Sequence, residues 1–102
     1  MNLKEKVIAI DMDGVLSKEV CWTPKECLNA TPNPKTIKWI EDNTEGAFII
    51  IYTARRDFLI PSTLKWLRKH QVFFHAISNN KIPADVYIDD KAVHINDILK
   101  EV

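Results

Sequence analysis

Four short clusters of reactive residues punctuate this chain, and each comes just after a run rich in apolar, β-branched or aromatic residues. Asp11-Met12-Asp13-Gly14 follows residues 7–10, and Thr53-Ala54-Arg55-Arg56 follows residues 47–52. Ser78-Asn79-Asn80-Lys81 lies just past residues 72–76, and Asp89-Asp90-Lys91 follows residues 86–88. Singly, each cluster has an ordinary structural use. Asp-x-Asp-Gly marks turns and calcium loops, threonine after a strand caps or turns, an exposed lysine is solvated, and an aspartate pair can cap. The calcium-loop reading is incomplete here, because its twelfth position holds Trp22 rather than glutamate.

As a set the clusters suit phosphoryl transfer. Two aspartates two positions apart at a strand end point to the same side, so one can attack while the other manages protons. A carboxylate nucleophile is repelled by a phosphate dianion, and cations must offset that repulsion. A hard divalent ion held by carboxylates is the natural choice, with magnesium suited to a site shared with phosphate oxygens. A hydroxyl and an ammonium group then hold the remaining oxygens of the transferring group.

Such residues need elements that bring them to one edge. The runs at 7–10, 47–52, 72–76 and 86–88 read as strands covered on both faces. Between them, residues 34–41 and 60–69 carry helical periodicity, each with proline near its start, and Gly46 fits a helix exit. Residues 94–102 read as a last short helix built on Ile95, Ile98 and Leu99. Strands alternating with helices predict an α/β fold with a parallel sheet, and ligands in such sheets sit beyond the carboxyl ends of the strands. All four clusters are at those ends.

Asp11-Met12-Asp13-Gly14-Val15-Leu16 resembles the first motif of the haloacid dehalogenase superfamily. Ile51-Tyr52-Thr53-Ala54-Arg55 resembles its second motif, Lys81 its third and Ile88-Asp89-Asp90 its acidic fourth, all in order across residues 7–91. Thr53-Ala54-Arg55, taken with the run from Lys81 to Ala92, is similar to small capless members of the capsule-biosynthesis phosphatase type, although Ile82 separates the lysine from Pro83. The resemblance implies a three-layer α/β/α Rossmann-like fold, with a small, mainly parallel sheet in the order 3-2-1-4. It implies Asp11 as nucleophile and magnesium ligand, and Asp13 as general acid and base whose main-chain carbonyl is also a ligand. Thr53, Ala54, Arg55 and Lys81 would bind the phosphorylated substrate, Thr53 and Lys81 acting on the phosphoryl group itself. Asp89 and Asp90 complete the metal carboxylates, with Asp89 favoured as the direct ligand. Members that cleave phosphate esters carry the second aspartate and dehalogenases lack it, so Asp13 argues for phosphate chemistry.

Residues 1–102 read as one domain with a short flap at about 14–33 and no room for an inserted cap. An open site implies a large substrate, or a second subunit that covers it. Trp22 in the flap and Arg56 beside the second motif are candidate substrate contacts, each with packing or a surface ion pair as its alternative. The 14 basic and 14 acidic side chains cancel, which weighs against nucleic acid as a partner. No apolar run is long enough to span a bilayer and no signal-peptide pattern precedes the first strand, so a cytoplasmic enzyme is expected. Cys21 and Cys27 are expected as free structural thiols. The leading expectation is a magnesium-dependent phosphomonoesterase for a small phosphorylated metabolite such as a sugar phosphate. A polynucleotide end-phosphatase and a non-catalytic binding or regulatory module of the same fold are the alternatives.

Overall fold

The apolar run around Ile8 and Ile10 is too hydrophobic to tolerate water on either face: both isoleucines, on one face, are fully buried, and Ala9 on the other is buried as well. The run forms the central strand β1, Val7–Asp11, of a computed structural model that describes residues 3–80 and 84–88. The other elements in chain order are α1 (Pro24–Asn29), α2 (Pro34–Asn43), β2 (Phe48–Tyr52), a 3₁₀ turn (Asp57–Leu59), α3 (Ile60–Lys69), β3 (Ala76–Ser78) and β4 (Val86–Ile88). The four strands form one parallel sheet in the order β3-β2-β1-β4. This is the expected strand order in an α/β, Rossmann-like architecture. The chain steps from β1 outward through β2 to β3, then returns to the other side of β1, so the order reverses beside β1. Crevices for ligands form at such reversals.

Register fixes which strand ends lie level. Asp11 pairs with Tyr52, Tyr52 with Ser78, and Ile10 with Ile88. At the opposite end, the Val7 N–H donates to the Asp85 carboxylate at 2.7 Å and Asp85 N–H returns to the Val7 carbonyl at 2.9 Å, pinning the start of β4. The core is continuous from Ile8, Ile10, Ile49 and Ile51 of the sheet to Trp39 and Ile40 of α2 and Trp66 and Leu67 of α3. Trp66 also donates its indole N–H to the Ala30 carbonyl at 2.8 Å, tying α3 to the end of α1. No described helix is long and apolar enough to cross a membrane.

The third strand differs from expectation. Residues 72–76 have high β propensity, yet β3 begins only at Ala76. Ala76 pairs with Ile50, so continuing the register would set residues 72–74 opposite residues 46–48, where β2 is only starting and Gly46 turns with φ +82°. Instead α3 closes through Gln71 at φ +55° and a Val72 N–H bond to the Leu67 carbonyl. Val72 drops into the core and Phe73 remains 65% exposed. The strand expected over 86–88 and the helix at 60–69 are found at those residues, and the helix expected at 94–102 lies outside the described residues.

The flap contains a helix that was not expected. Thr23 Oγ1 accepts from the Glu26 N–H at 3.1 Å, and Glu26 Oε1 accepts from the Trp22 N–H at 3.1 Å. Thr-Pro-Lys-Glu is a capping-box pattern with proline at the first helical position, so the local signal for α1 was present. At its base the flap is held by Lys18 N–H to the Thr31 carbonyl and Asn33 N–H to the Leu16 carbonyl, both at 2.8 Å.

Candidate active site

β1 ends in a loop whose own backbone bonds determine where its carboxylates sit. Met12 is fully buried and its carbonyl accepts from the Leu16 and Ser17 N–H groups, each at 3.0 Å. Gly14, at φ +85°, takes the left-handed conformation that lets its N–H return to the Ser17 carbonyl at 2.8 Å. Asp11 is partly buried, and its Oδ1 accepts the Met12 N–H at 2.9 Å.

Asp13, two residues on, is held differently. Arg55 at the end of β2 donates from Nη2 to Asp13 Oδ1 at 2.7 Å, and from Nε to Oδ1 and Oδ2 at 3.2 and 3.3 Å. The remaining arm, Nη1, donates to Thr63 Oγ1 of α3 at 2.9 Å. The Arg55 side chain is 1% exposed and that of Asp13 is 17% exposed. Burial alone would lower the Arg55 pKa, but the hydrogen bonds and charge of Asp13 outweigh it and the pKa is raised. Arg55 is therefore a permanently charged clamp, with three contacts to one carboxylate and a fourth to a helix hydroxyl. Thr63 is itself anchored, donating to the Leu59 carbonyl at 2.7 Å.

Thr53 is fully buried between these groups. Its Oγ1 accepts the Arg55 N–H at 3.1 Å, and its own N–H donates to the Ser78 carbonyl at 3.0 Å. The hydroxyl thus shapes the turn that sends Arg55 back toward Asp13. Ala54 is exposed at the tip of that turn. Asn79 follows β3 and donates to the Asp57 carboxylate, fastening the loop that carries the 3₁₀ turn.

Of the residues singled out in the sequence, Asp11, Asp13, Thr53, Ala54 and Arg55 are at the carboxyl ends of the adjacent strands β1 and β2. Arg55 was expected at substrate, and its guanidinium is engaged by Asp13 and Thr63. Lys81, Asp89 and Asp90 lie outside the described residues. Among the described residues no three His, Cys, Asp or Glu side chains group closely enough to hold a metal ion. Thr63 was missed. It sits mid-helix and eight residues beyond Arg55, and nothing in its local sequence distinguishes it from a helix-face threonine.

A cavity of about 320 Å³ opens beside Asp13, between the flap and the turn after β2. Cys21 lies in its wall, buried and outside any disulfide, with burial pushing its thiol pKa up to about 11. Cys27 is also buried and free, as expected for structural thiols.

No protein-family model matches the chain, and no curated protein matches it. Solved structures do share the fold. A conserved protein from Bacteroides thetaiotaomicron is similar with a TM-score of 0.71 and 20% identity, over 96% of this chain and 92% of that one. A chain of the Pnkp1/Rnl/Hen1 complex is similar with a TM-score of 0.63 and 17% identity, over 98% of this chain and 33% of that one. A chain of the Pnkp1/Rnl/Hen1 RNA repair complex gives 0.61 and 18%, over 97% of this chain and 30% of that one. This chain therefore spans about a third of the chains it matches in those complexes. At these identities the likeness is one of fold.

Proposed function

We propose that this protein is a phosphomonoesterase of the haloacid dehalogenase type, working through an aspartyl-phosphate on Asp11. The observation that carries the reading is the unequal treatment of two carboxylates at one strand end. Asp13 is gripped by a buried guanidinium from the neighbouring strand, while Asp11, two residues earlier, accepts the Met12 amide. Different partners fix the two carboxylates in different positions, which a division into nucleophile and proton carrier requires. The likeness in fold to solved structures, among them a chain of an RNA repair complex, adds support.

In the first half-reaction an Asp11 oxygen forms a bond to phosphorus as the bond to the leaving oxygen breaks, and Asp13 gives that oxygen its proton. In the second, Asp13 takes a proton from water as the water attacks phosphorus, releasing phosphate and restoring the Asp11 carboxylate. Arg55 holds Asp13 in place through both steps. Thr53 keeps the turn after β2 closed on the site.

The oxygen donors at the end of β1 suit a hard cation. Asp11 offers a carboxylate and Asp13 a main-chain carbonyl, both hard oxygen donors. Magnesium would be held by these, with Asp89 and Asp90 as further carboxylates. Bound there, it would offset the charge between Asp11 and the phosphate dianion. Lys81 would add a second positive charge.

The test is phosphate release from an aryl phosphate, with magnesium and with a chelator. Activity should need the ion and fall by at least about a thousandfold in Asp11→Asn. Turnover by Asp11→Asn at the wild-type rate would end the proposal. A small phosphorylated metabolite such as a sugar phosphate is the proposed substrate. Phosphorylated nucleic-acid ends form a second reading, supported by the likeness to a chain of an RNA repair complex and opposed by the balanced charge. Oligonucleotides phosphorylated at either end, assayed across salt concentrations, separate the two.

A further inference from the structure

The cavity beside Asp13 has a composition that the phosphoryl chemistry does not require. Its floor carries Asp13 and Arg55, and its walls carry Val20 and Trp22 from the flap and Phe58 from the 3₁₀ turn, with Arg56 also lining it. Asp11 is not part of the lining. The proton carrier therefore borders this space and the nucleophile does not. In the reaction above, the group next to Asp13 is the leaving group, so the cavity lies where the departing alcohol would extend.

Two large aromatic side chains line it with much of their surface in water. Trp22 is 73% exposed and Phe58 is 59% exposed, and neither ring stacks on another among the described residues. Their backbones are nonetheless fixed. Trp22 N–H is held by Glu26 at 3.1 Å, and the turn bearing Phe58 is fastened by Asn79 to Asp57 and by the Leu59 N–H bond to the Arg56 carbonyl at 2.9 Å. With the backbone anchored, only the two side-chain torsions of each ring remain to be ordered when a flat partner arrives. The volume, about 320 Å³, is at the small end of ligand sites and suits one ring system. Arg56 is exposed, makes no ion pair with a described residue, and can meet a second anionic or hydrogen-bonding group at the mouth.

Resting on the phosphatase reading, we infer that Trp22 and Phe58 form the walls of a leaving-group site for a planar aromatic ring, so that ring-bearing phosphomonoesters are favoured over aliphatic ones. An aryl phosphate and a nucleoside monophosphate share that chemistry.

Trp22 reports on the site directly, because Trp39 and Trp66 are buried. Phenyl phosphate, a purine nucleoside 5′-monophosphate and glycerol phosphate are titrated against the protein by tryptophan fluorescence, and their kcat/KM values are compared with magnesium present. A ring-bearing ester should quench emission saturably and be preferred over glycerol phosphate by about tenfold or more. Whichever ring binds more tightly identifies the source. Phe58→Ala should cut that preference about tenfold and Phe58→Tyr should retain it, with circular dichroism confirming that both fold. Equal kcat/KM for all three esters without saturable quenching overturns the ring site and leaves the phosphatase reading standing. Saturable quenching by a ring-bearing ester, with no ester hydrolysed, upholds the ring site and removes the phosphatase reading.

Discussion

Replacing Arg55 with methionine keeps the apolar bulk and removes the clamp. The wild-type guanidinium makes three contacts to Asp13, at 2.7, 3.2 and 3.3 Å, and one to Thr63 at 2.9 Å. Deleting one member of a buried ion pair strands the other charge, at a cost of about 3–5 kcal/mol. Asp13 keeps 17% of its side chain in water, which places the expected loss near the lower limit, about 3 kcal/mol. For a domain of this size that is a fall in Tm of roughly 10–20 °C, measured by thermal and urea unfolding. Arg55→Lys retains the charge without the fork and should lose roughly half as much. In turnover, Arg55 acts only through Asp13, so Arg55→Met should lower kcat by about a hundredfold and change KM by less than about threefold. Adding Arg55→Met to Asp13→Asn should then cost little more in kcat, because the group it positions is already gone. Three results would refute the reasoning: a stability loss below about 1 kcal/mol, a kcat within about threefold of wild type, or full additivity in the double variant.

Two further outcomes follow from groups outside the carboxylate pair. Cys21 is buried with its thiol pKa near 11 and Cys27 is buried within the same flap, so a thiol reagent at about pH 8 should label neither until denaturant is added. Fast labelling of the folded protein would show the flap to be open in solution. Glu19 accepts the Thr31 N–H at 2.6 Å, and that bond holds its carboxyl below the ordinary value of 4.5. Because the folded pKa is depressed, this bond's contribution is present above that ordinary value and disappears as pH falls through the lowered one. The protection factor of the Thr31 amide, taken against the intrinsic exchange rate at each pH, should therefore fall in acid in the wild type, and be already low and less pH-dependent in Glu19→Ala.

Much of the sheet was legible because its signals are local. An apolar β-branched run reads as a strand wherever it lies, and β1, β2 and β4 are found at or within a residue of those runs. The helices α2 and α3 carry proline at their starts and apolar periodicity, and both were found. β3 was misplaced because propensity does not say where a neighbour ends. Its start is decided by the beginning of β2 and the closing turn at Gln71, both remote from the side chains of 72–75. α1 was overlooked although Thr23 and Glu26 encode its cap, since six residues are too few to show a period.

The sequence by itself determined that Asp11 and Asp13 stand at the end of one strand and Thr53 to Arg56 at the end of another. Adjacency along the chain is enough for that. It also placed Arg55 close to the chemistry, but with its side chain turned toward substrate. Only the tertiary structure decided which partner that side chain has, because the choice depends on parallel pairing that sets Asp11 level with Tyr52 and on α3 bringing Thr63 beneath the guanidinium. Once Arg55 is enclosed, its charge must be met inside the protein, and Asp13, 42 residues away, meets it. The meeting of Trp22 and Phe58 at one cavity was settled in the same way, by a flap and a turn whose separation in the chain says nothing of their distance in space.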